Sequence, residues 1–244
     1  MKIKVISLKS TPNRRQAFIS QNNFIDYEFF DGVEGHQLSE QMINDHNIFA
    51  KPTKLASLGA YGCALSHLKL WDYAINNNLA ITVAEDDAIF RKDFKQESER
   101  IISNLPSDWD LILWGWNFDS ILSIGDIKNI SPVVMLFNQT QMRGKIEEFQ
   151  NLHPKSTIFR LDKCFGIPAY SISPAGAKKF KSSCFPMKDF ELHFPVLNRH
   201  IPNTGIDIAM NRIYADTNSF VAFPPLVITE NQHEISTIQK KSKS

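Results

Sequence analysis

The stretch LAITVAEDDAIFRKDF, residues 79–94, runs from an apolar segment directly into Glu85, Asp86 and Asp87. Three adjacent carboxylates repel one another and are costly to desolvate, so their place at the end of an apolar run asks for a cation. Hard oxygen donors suit Mg2+ or Mn2+, and a divalent ion shared between a diphosphate and one or two carboxylates would cancel the repulsion. In an extended backbone Glu85 and Asp87 lie on the same side. One can then hold the metal while the other reaches a ribose or a water. Taken alone, such an acidic run is more often a solvated turn. Its placement between LAITVA and Ala88–Ile89–Phe90 favours a site.

The acids need elements to position them. IKVISL (3–8) alternates and is β-branched, which predicts a first strand; it opens into KSTPNRRQAF, where Ser10 or Thr11 can cap a helix with Pro12 in its first turn. DYEFFDGVEG (26–35) predicts a second strand closed by a glycine turn. From 61 to 75, Tyr61, Ala64, Leu68, Trp71 and Ile75 share one helical stripe, with Ser66 and His67 off it, so packing does not explain those two. LAITVA (79–84) reads as a strand covered on both faces, which puts the acids at its carboxyl end. DFKQESERIISNLP predicts a helix ending before Pro106, and DWDLILWGW (108–116) a further buried strand, with Trp114 and Trp116 in the core or on a sugar. Residues 117–157 are weakly patterned and read as binding loops or a lid. FGIPAYSIS (165–173) predicts a strand, SPAGAKKFKSS a helix begun at Ser173 and Pro174, and TGIDIAMNRIY (204–214) a helix with Asp207 in its first turn. The alternation predicts an α/β fold with a largely parallel sheet, in which ligands bind beyond the carboxyl ends of strands.

Composition narrows the function classes. Twenty-seven basic against 26 acidic residues leave a formal charge of +1, so no overall field points to nucleic acid. A hydrophobic content of 43% over 244 residues supports a sizeable core. Cys63, Cys164 and Cys184 are odd in number and in no CxxC spacing, which fits reduced, buried thiols better than a disulfide frame or a zinc site. No window approaches the ~20 apolar residues of a membrane span. A soluble, cytoplasmic protein is expected.

VISLKSTPNRR, LGAYGCALSHLKLWDYAI, ITVAEDDAIF and AYSISPAGAKKF occur in the order found in glycosyltransferase family 25, the bacterial lipooligosaccharide galactosyltransferases, and the chain resembles that family over about two thirds of its length. GCALSH followed by EDD is the most specific part. The resemblance weakens in 117–157 and around 181–203. It implies a GT-A-like nucleotide-sugar-binding fold with a mostly parallel central sheet in one domain, 1–244. Residues 1–116 would bind the nucleotide sugar, 117–235 would face the acceptor, and 236–244 would form a basic tail. It implies inverting transfer of galactose from UDP-galactose, with Mn2+ or Mg2+, to a sugar hydroxyl of a lipooligosaccharide.

Such a reaction needs a base for the acceptor proton, and a carboxylate holding the metal is poorly suited to that task. The resemblance points to Asp207, against the alternative of a first-turn charge complementing the helix dipole. Asp189 and Glu191 are the substitutes. Asp87 and Glu85 are the expected metal ligands, joined, by resemblance, by His233. Ser7, Leu8, Arg14, Arg15, Ser66, His67, Glu85, Asp86, Tyr170 and Ser236 are the expected donor contacts; a guanidinium can fork onto phosphate oxygens or pair with an acid. The amphiphilic acceptor implies peripheral work at the inner face of the cytoplasmic membrane, where the KKSKS tail either meets anionic lipid or frays into solvent. A phosphohydrolase would also cluster acids, but no P-loop, HExxH or second His/Asp cluster is present. A sugar-binding member without turnover would keep the fold and lose the chemistry.

Overall fold

The β-branched apolar segments are each too short to bury themselves, and in the computed structural model of the protein nine of them pair into one sheet. The structure describes residues 1–51, 53–125, 127 and 130–231. The strands in chain order are β1 (Ile3–Ser7), β2 (Tyr27–Asp31), β3 (Ile81–Glu85), β4 (Ala88–Phe90), β5 (Leu111–Gly115), β6 (Ile121–Ile124) and β7 (Val133–Leu136). They continue with β8 (Thr157–Cys164), β9 (Ala169–Ile172), β10 (Glu191–Phe194), β11 (Arg199–Pro202), β12 (Ser219–Phe223) and β13 (Val227–Thr229). The helices are α1 (Pro12–Gln21), α2 (Glu40–Ile43), α3 (Leu58–Asn76), α4 (Phe94–Ser103), α5 (Gln139–Arg143), α6 (Ile146–Asn151), α7 (Pro174–Cys184) and α8 (Ile206–Met210).

The sheet order is β2-β1-β3-β9-β5-β12-β8-β6-β7. This corrects the expectation of a mostly parallel sheet: only β1 with β2, β1 with β3 and β5 with β12 run parallel. The other five pairings are antiparallel. The physical reason is β9, which enters antiparallel between β3 and β5 and bonds to both. β1, β3 and β5 still point the same way, so their carboxyl ends, and the start of β9, share one edge of the sheet.

Side chains alternate between two cores. Leu111 and Leu113 pack with Trp71, Phe180 and Tyr214 under α3 and α7, whereas Ile112 and Trp114 pack with Phe18, Phe90 and Phe94 under α1 and α4. Trp71 is fully buried, and truncating it to alanine would cost about 3–5 kcal/mol. Trp114 and Trp116 are core residues as well. α7 begins as its sequence requires: the Ser173 hydroxyl accepts from the Gly176 N–H at 2.9 Å, with Pro174 in the first turn. A Cβ on Gly176 would sit 2.1 Å from the Asp110 carbonyl oxygen, so the residue permits close packing of helix on strand.

Other expectations need revision. α3 is buried nearly all round, and Ser66 and His67 lie inside it with the stripe residues. The weakly patterned 117–157 holds β6, β7, α5 and α6, with β6 and β7 completing one flank of the sheet. Each element there is too short for periodicity to register. The helix expected over 204–214 is α8 alone, followed by turns.

Candidate active site

β3 delivers Glu85 at its last residue, and the chain then turns through Asp86 and Asp87 into β4. The acids are therefore not extended, and a turn rather than strand alternation brings Glu85 and Asp87 to one cavity. The turn is anchored on both sides. β3 belongs to the large sheet, while β4 pairs with β13. Buried Asn22, at the end of α1, donates to the Ala88 carbonyl at 2.9 Å and accepts from the Phe90 N–H at 2.9 Å.

Asp86 is only 8% exposed and is fully engaged. Ser7 donates to Oδ2 at 2.7 Å, and Arg14 donates to Oδ1 through Nε at 2.8 Å and Nη2 at 2.5 Å. Arg14 also lies 3.6 Å from Asp87 Oδ2. Asp87 differs from Asp86: its Oδ1 is buried without a hydrogen-bond partner, while 37% of its side-chain surface opens to the cavity. Glu85, Asp87 and Asp207 line that cavity, of about 280 Å³, together with Arg14, Cys63 and Asn117. Its far wall is Thr229–Asn231. A smaller adjoining cavity of about 70 Å³ is lined by Ser7, Leu8, Ser66 and His67, with Arg14, Glu85 and Asp86 shared between the two.

The electrostatics of the larger cavity run in one direction. Burial, then Asp207, pushes Glu85 up to about 8. Burial, then Glu85, pushes Asp87 up to about 7. Burial raises Asp207 too, against the opposing hydrogen bond from the Gly166 N–H. Arg14 lowers Glu85 and Asp87 without outweighing burial. Carboxyls held above their ordinary range around one space lack counter-charge, which a cation would supply. His67 moves the other way, down to about 4 by burial. It approaches Glu85 at 3.8 Å, but at neutral pH the imidazole is uncharged and the carboxyl partly protonated, so the contact is not an ion pair.

The structure brings Ser7, Leu8, Arg14, Ser66, His67, Glu85, Asp86, Asp87 and Asp207 to these two cavities. Four expected residues lie elsewhere, among them Glu191, exposed at the start of β10. Arg15 turns to the Ser7 carbonyl at 2.9 Å and Asp31 at 2.7 Å. Tyr170 is fully buried behind His67, its hydroxyl held by His67 and Trp71. Asp189 is exposed and accepts from the Lys54 N–H at 2.9 Å, at the end of the loop before α3. His233 and Ser236 lie outside the described residues. Cys63, Asn117 and Gly166 were not anticipated. Gly166 has φ +77°, and a Cβ there would meet the Asn117 side chain at 2.1 Å; a glycine inside the segment 165–173 expected as a strand is the available signal, and the strand itself begins only at Ala169.

The fold is mixed α/β, a nine-stranded sheet with acids gathered around a cavity at the carboxyl end of β3. The sequence pattern of glycosyltransferase family 25 (LPS biosynthesis protein) matches residues 1–191, and the chain belongs to that family. It is 32% identical over 127 residues to a glycosyltransferase 25 family member of Aedes aegypti, covering 46% of this chain and 21% of the relative. It is 31% identical over 124 residues to procollagen galactosyltransferase 1-A of Xenopus laevis, covering 46% and 20%. Human inactive glycosyltransferase 25 family member 3 is 29% identical over 124 residues, covering 46% and 21%. The matches thus span about a fifth of these relatives' length. Among solved structures, mouse xyloside xylosyltransferase 1 aligns with a TM-score of 0.33 and 10% identity over 73% of this chain and 55% of that one. Among the described residues no helix is long and apolar enough to cross a membrane.

Proposed function

We propose that the chain is an inverting, metal-dependent galactosyltransferase of GT-A type, moving galactose from UDP-galactose to a sugar hydroxyl of a lipooligosaccharide outer core. The observation that carries this reading is the cavity itself: Glu85, Asp87 and Asp207 converge on it, all pushed toward protonation, while the nearby cation Arg14 is committed to Asp86. The orphaned Oδ1 of Asp87 fits a hard dication. Asp87 and Glu85 would hold Mn2+ or Mg2+, with His233 a further ligand on sequence grounds. When bound, that ion supplies charge to the leaving diphosphate.

The chain's own residues supply the rest. Ser7 and Arg14 hold Asp86, which fixes the turn that carries Glu85 and Asp87 into the cavity. Asp207 takes the acceptor proton: the acceptor oxygen bonds to the anomeric carbon, the bond from that carbon to the UDP oxygen breaks with its electron pair, and the proton passes to the Asp207 carboxylate. A raised proton affinity suits that role. The amphiphilic acceptor would place the enzyme peripherally at the inner face of the cytoplasmic membrane.

The test is UDP release from a panel of UDP-sugars, with and without Mn2+, in the presence of lipooligosaccharide. Mn2+-stimulated turnover with UDP-galactose is expected. Nucleotide binding without turnover of any donor would overturn the reading in favour of a binding member, a possibility made concrete by the relatives named inactive.

A further inference from the structure

Beside the acidic turn lies a second set of donors, of which the proposed reaction uses Glu85 alone. Cys63 and His67 stand four residues apart on α3 and therefore project from one face of it, one turn apart. β3 ends at Glu85, which approaches both residues. The Cys63 thiol sulfur, a His67 ring nitrogen and a Glu85 carboxylate oxygen all lie within 4.8 Å of one another, and His67 Nε2 is 3.8 Å from Glu85 Oε1.

His67 gives the arrangement its direction. The side chain is fully buried, yet Nε2 has no hydrogen-bond partner and faces Glu85. Its other nitrogen, Nδ1, is 2.7 Å from the Tyr170 hydroxyl, which also accepts from the Trp71 indole N–H at 2.9 Å. A ligating histidine is ordinarily held in this way, with the non-ligating nitrogen hydrogen-bonded so that ring and lone pair are oriented. A buried ring nitrogen left without a partner is costly, and a metal is one way to satisfy it.

We propose that Cys63, His67 and Glu85 form a site for one thiophilic dication of the Zn2+ class, distinct from the hard-cation position at Asp87. Thiolate, imidazole and carboxylate make a mixed set that suits Zn2+ better than Mg2+. Bond lengths of about 2.3 Å to sulfur and 2.0 Å to nitrogen or oxygen place tetrahedral donors roughly 3.3–3.6 Å apart. The nitrogen–oxygen pair is already near that, and rotation of the Cys63 and Glu85 side chains brings in the remainder. On binding, the Cys63 S–H bond breaks, a sulfur–metal bond forms and the proton leaves to solvent. His67 binds through the Nε2 lone pair with its hydrogen on Nδ1, directed at the Tyr170 oxygen. Three protein ligands leave a fourth position open to the cavity, as in zinc sites that bind an exchangeable ligand. Because Glu85 also lines the cavity proposed for the donor, filling this site withdraws that carboxylate from the hard cation.

Metal binding here is read on the resting chain and needs no glycosyl transfer. Co2+ is titrated into the full protein while the near-ultraviolet thiolate-to-cobalt charge-transfer band is followed, and Zn2+ is then added to displace it. One equivalent of band is expected in the parent protein. Cys63→Ser should abolish the band, and Asp87→Asn should leave it in place. Cys164 and Cys184 are fully buried and line neither cavity, so they do not supply it. Tyr170→Phe should weaken Zn2+ about 10–100-fold by freeing the ring, and circular dichroism of each variant separates ligand loss from misfolding. No band in the parent, or an undiminished band in Cys63→Ser, overturns the proposal. In the first case Nε2 carries the hydrogen and serves Glu85 as a donor. Loss of the band in folded Asp87→Asn would also overturn it, since the two positions would then be one.

Discussion

Replacing Arg14 with glutamine should unfold the protein far more readily than a surface charge change would. Arg14 makes two charge-assisted bonds to one oxygen of an aspartate that is 8% exposed, and the variant leaves Asp86 with the Ser7 hydroxyl at 2.7 Å. Removing one partner of a buried ion pair costs about 3–5 kcal/mol, because the other charge remains desolvated. Arg14 keeps 22% of its side-chain surface, so water replaces part of the lost contact and the low end, about 3 kcal/mol, applies. For a chain of this size that corresponds to roughly 6–12 °C in Tm. The double variant Arg14→Gln/Asp86→Asn should regain much of the loss, since no uncompensated charge remains. Urea unfolding of the four proteins, read by tryptophan fluorescence, gives the coupling directly. A loss below about 1 kcal/mol in Arg14→Gln, the level of an exposed pair, or strict additivity in the double variant would refute the argument that Asp86 is a buried, locked carboxylate.

The same site makes the metal-free protein sensitive to pH. Glu85 and Asp87 bind protons more tightly folded than unfolded, at about 8 and about 7, so their stabilising contribution is complete below the ordinary carboxylate range and is lost as pH rises through 7 to 8. His67, lowered to about 4, acts oppositely, contributing fully above its ordinary value and losing that contribution as pH falls toward 4. Melting in EDTA should therefore decline toward pH 8, Mn2+ should reverse the decline and Glu85→Gln should flatten it; an unchanged slope in that variant removes Glu85 as the source. Asp207→Asn should lower kcat on the order of 10²–10⁴-fold with donor affinity preserved, as expected for a lost general base; a change confined to acceptor KM would make Asp207 a binding residue. Asp87→Asn should abolish stimulation by Mn2+ in the UDP-release assay, and a near-normal metal-stimulated rate would remove it from the ligand set. Gly166→Ala should destabilise the fold by about 1–3 kcal/mol, because a left-handed φ and a 2.1 Å overlap with Asn117 coincide there; a neutral effect on urea unfolding would mean that Asn117 yields freely.

Much of this was legible where a pattern is local. The strand 3–8, the Pro12 entry to α1, the strand before the acids and the Ser173–Pro174 start of α7 each depend on neighbours within a few residues. The direction of β9 was not legible, since AYSI reads alike whichever way it enters a sheet. The burial of Ser66 and His67 was missed because α3 lies between the sheet, α7 and the loop at 33–35, so a one-face criterion underestimates what it buries. Cysteine spacing says nothing of Cys63, because its neighbour in space is the histidine four residues on. Asp189 is a substitute base by residue type alone, and nothing in MKDFELHF shows that its carboxylate lies exposed, accepting from the Lys54 N–H, away from both cavities.

β12 has a consequence for how the molecule comes into being. Among the described residues it is the penultimate strand in chain order, yet it occupies the interior of the sheet, between β5 and β8. During synthesis the acids at 85–87 emerge long before the segment that separates β5 from β8, and before β13, which anchors β4. The acids at 85–87 thus precede their supporting partners in the chain, and the pocket takes its form only once residues 219–229 have paired.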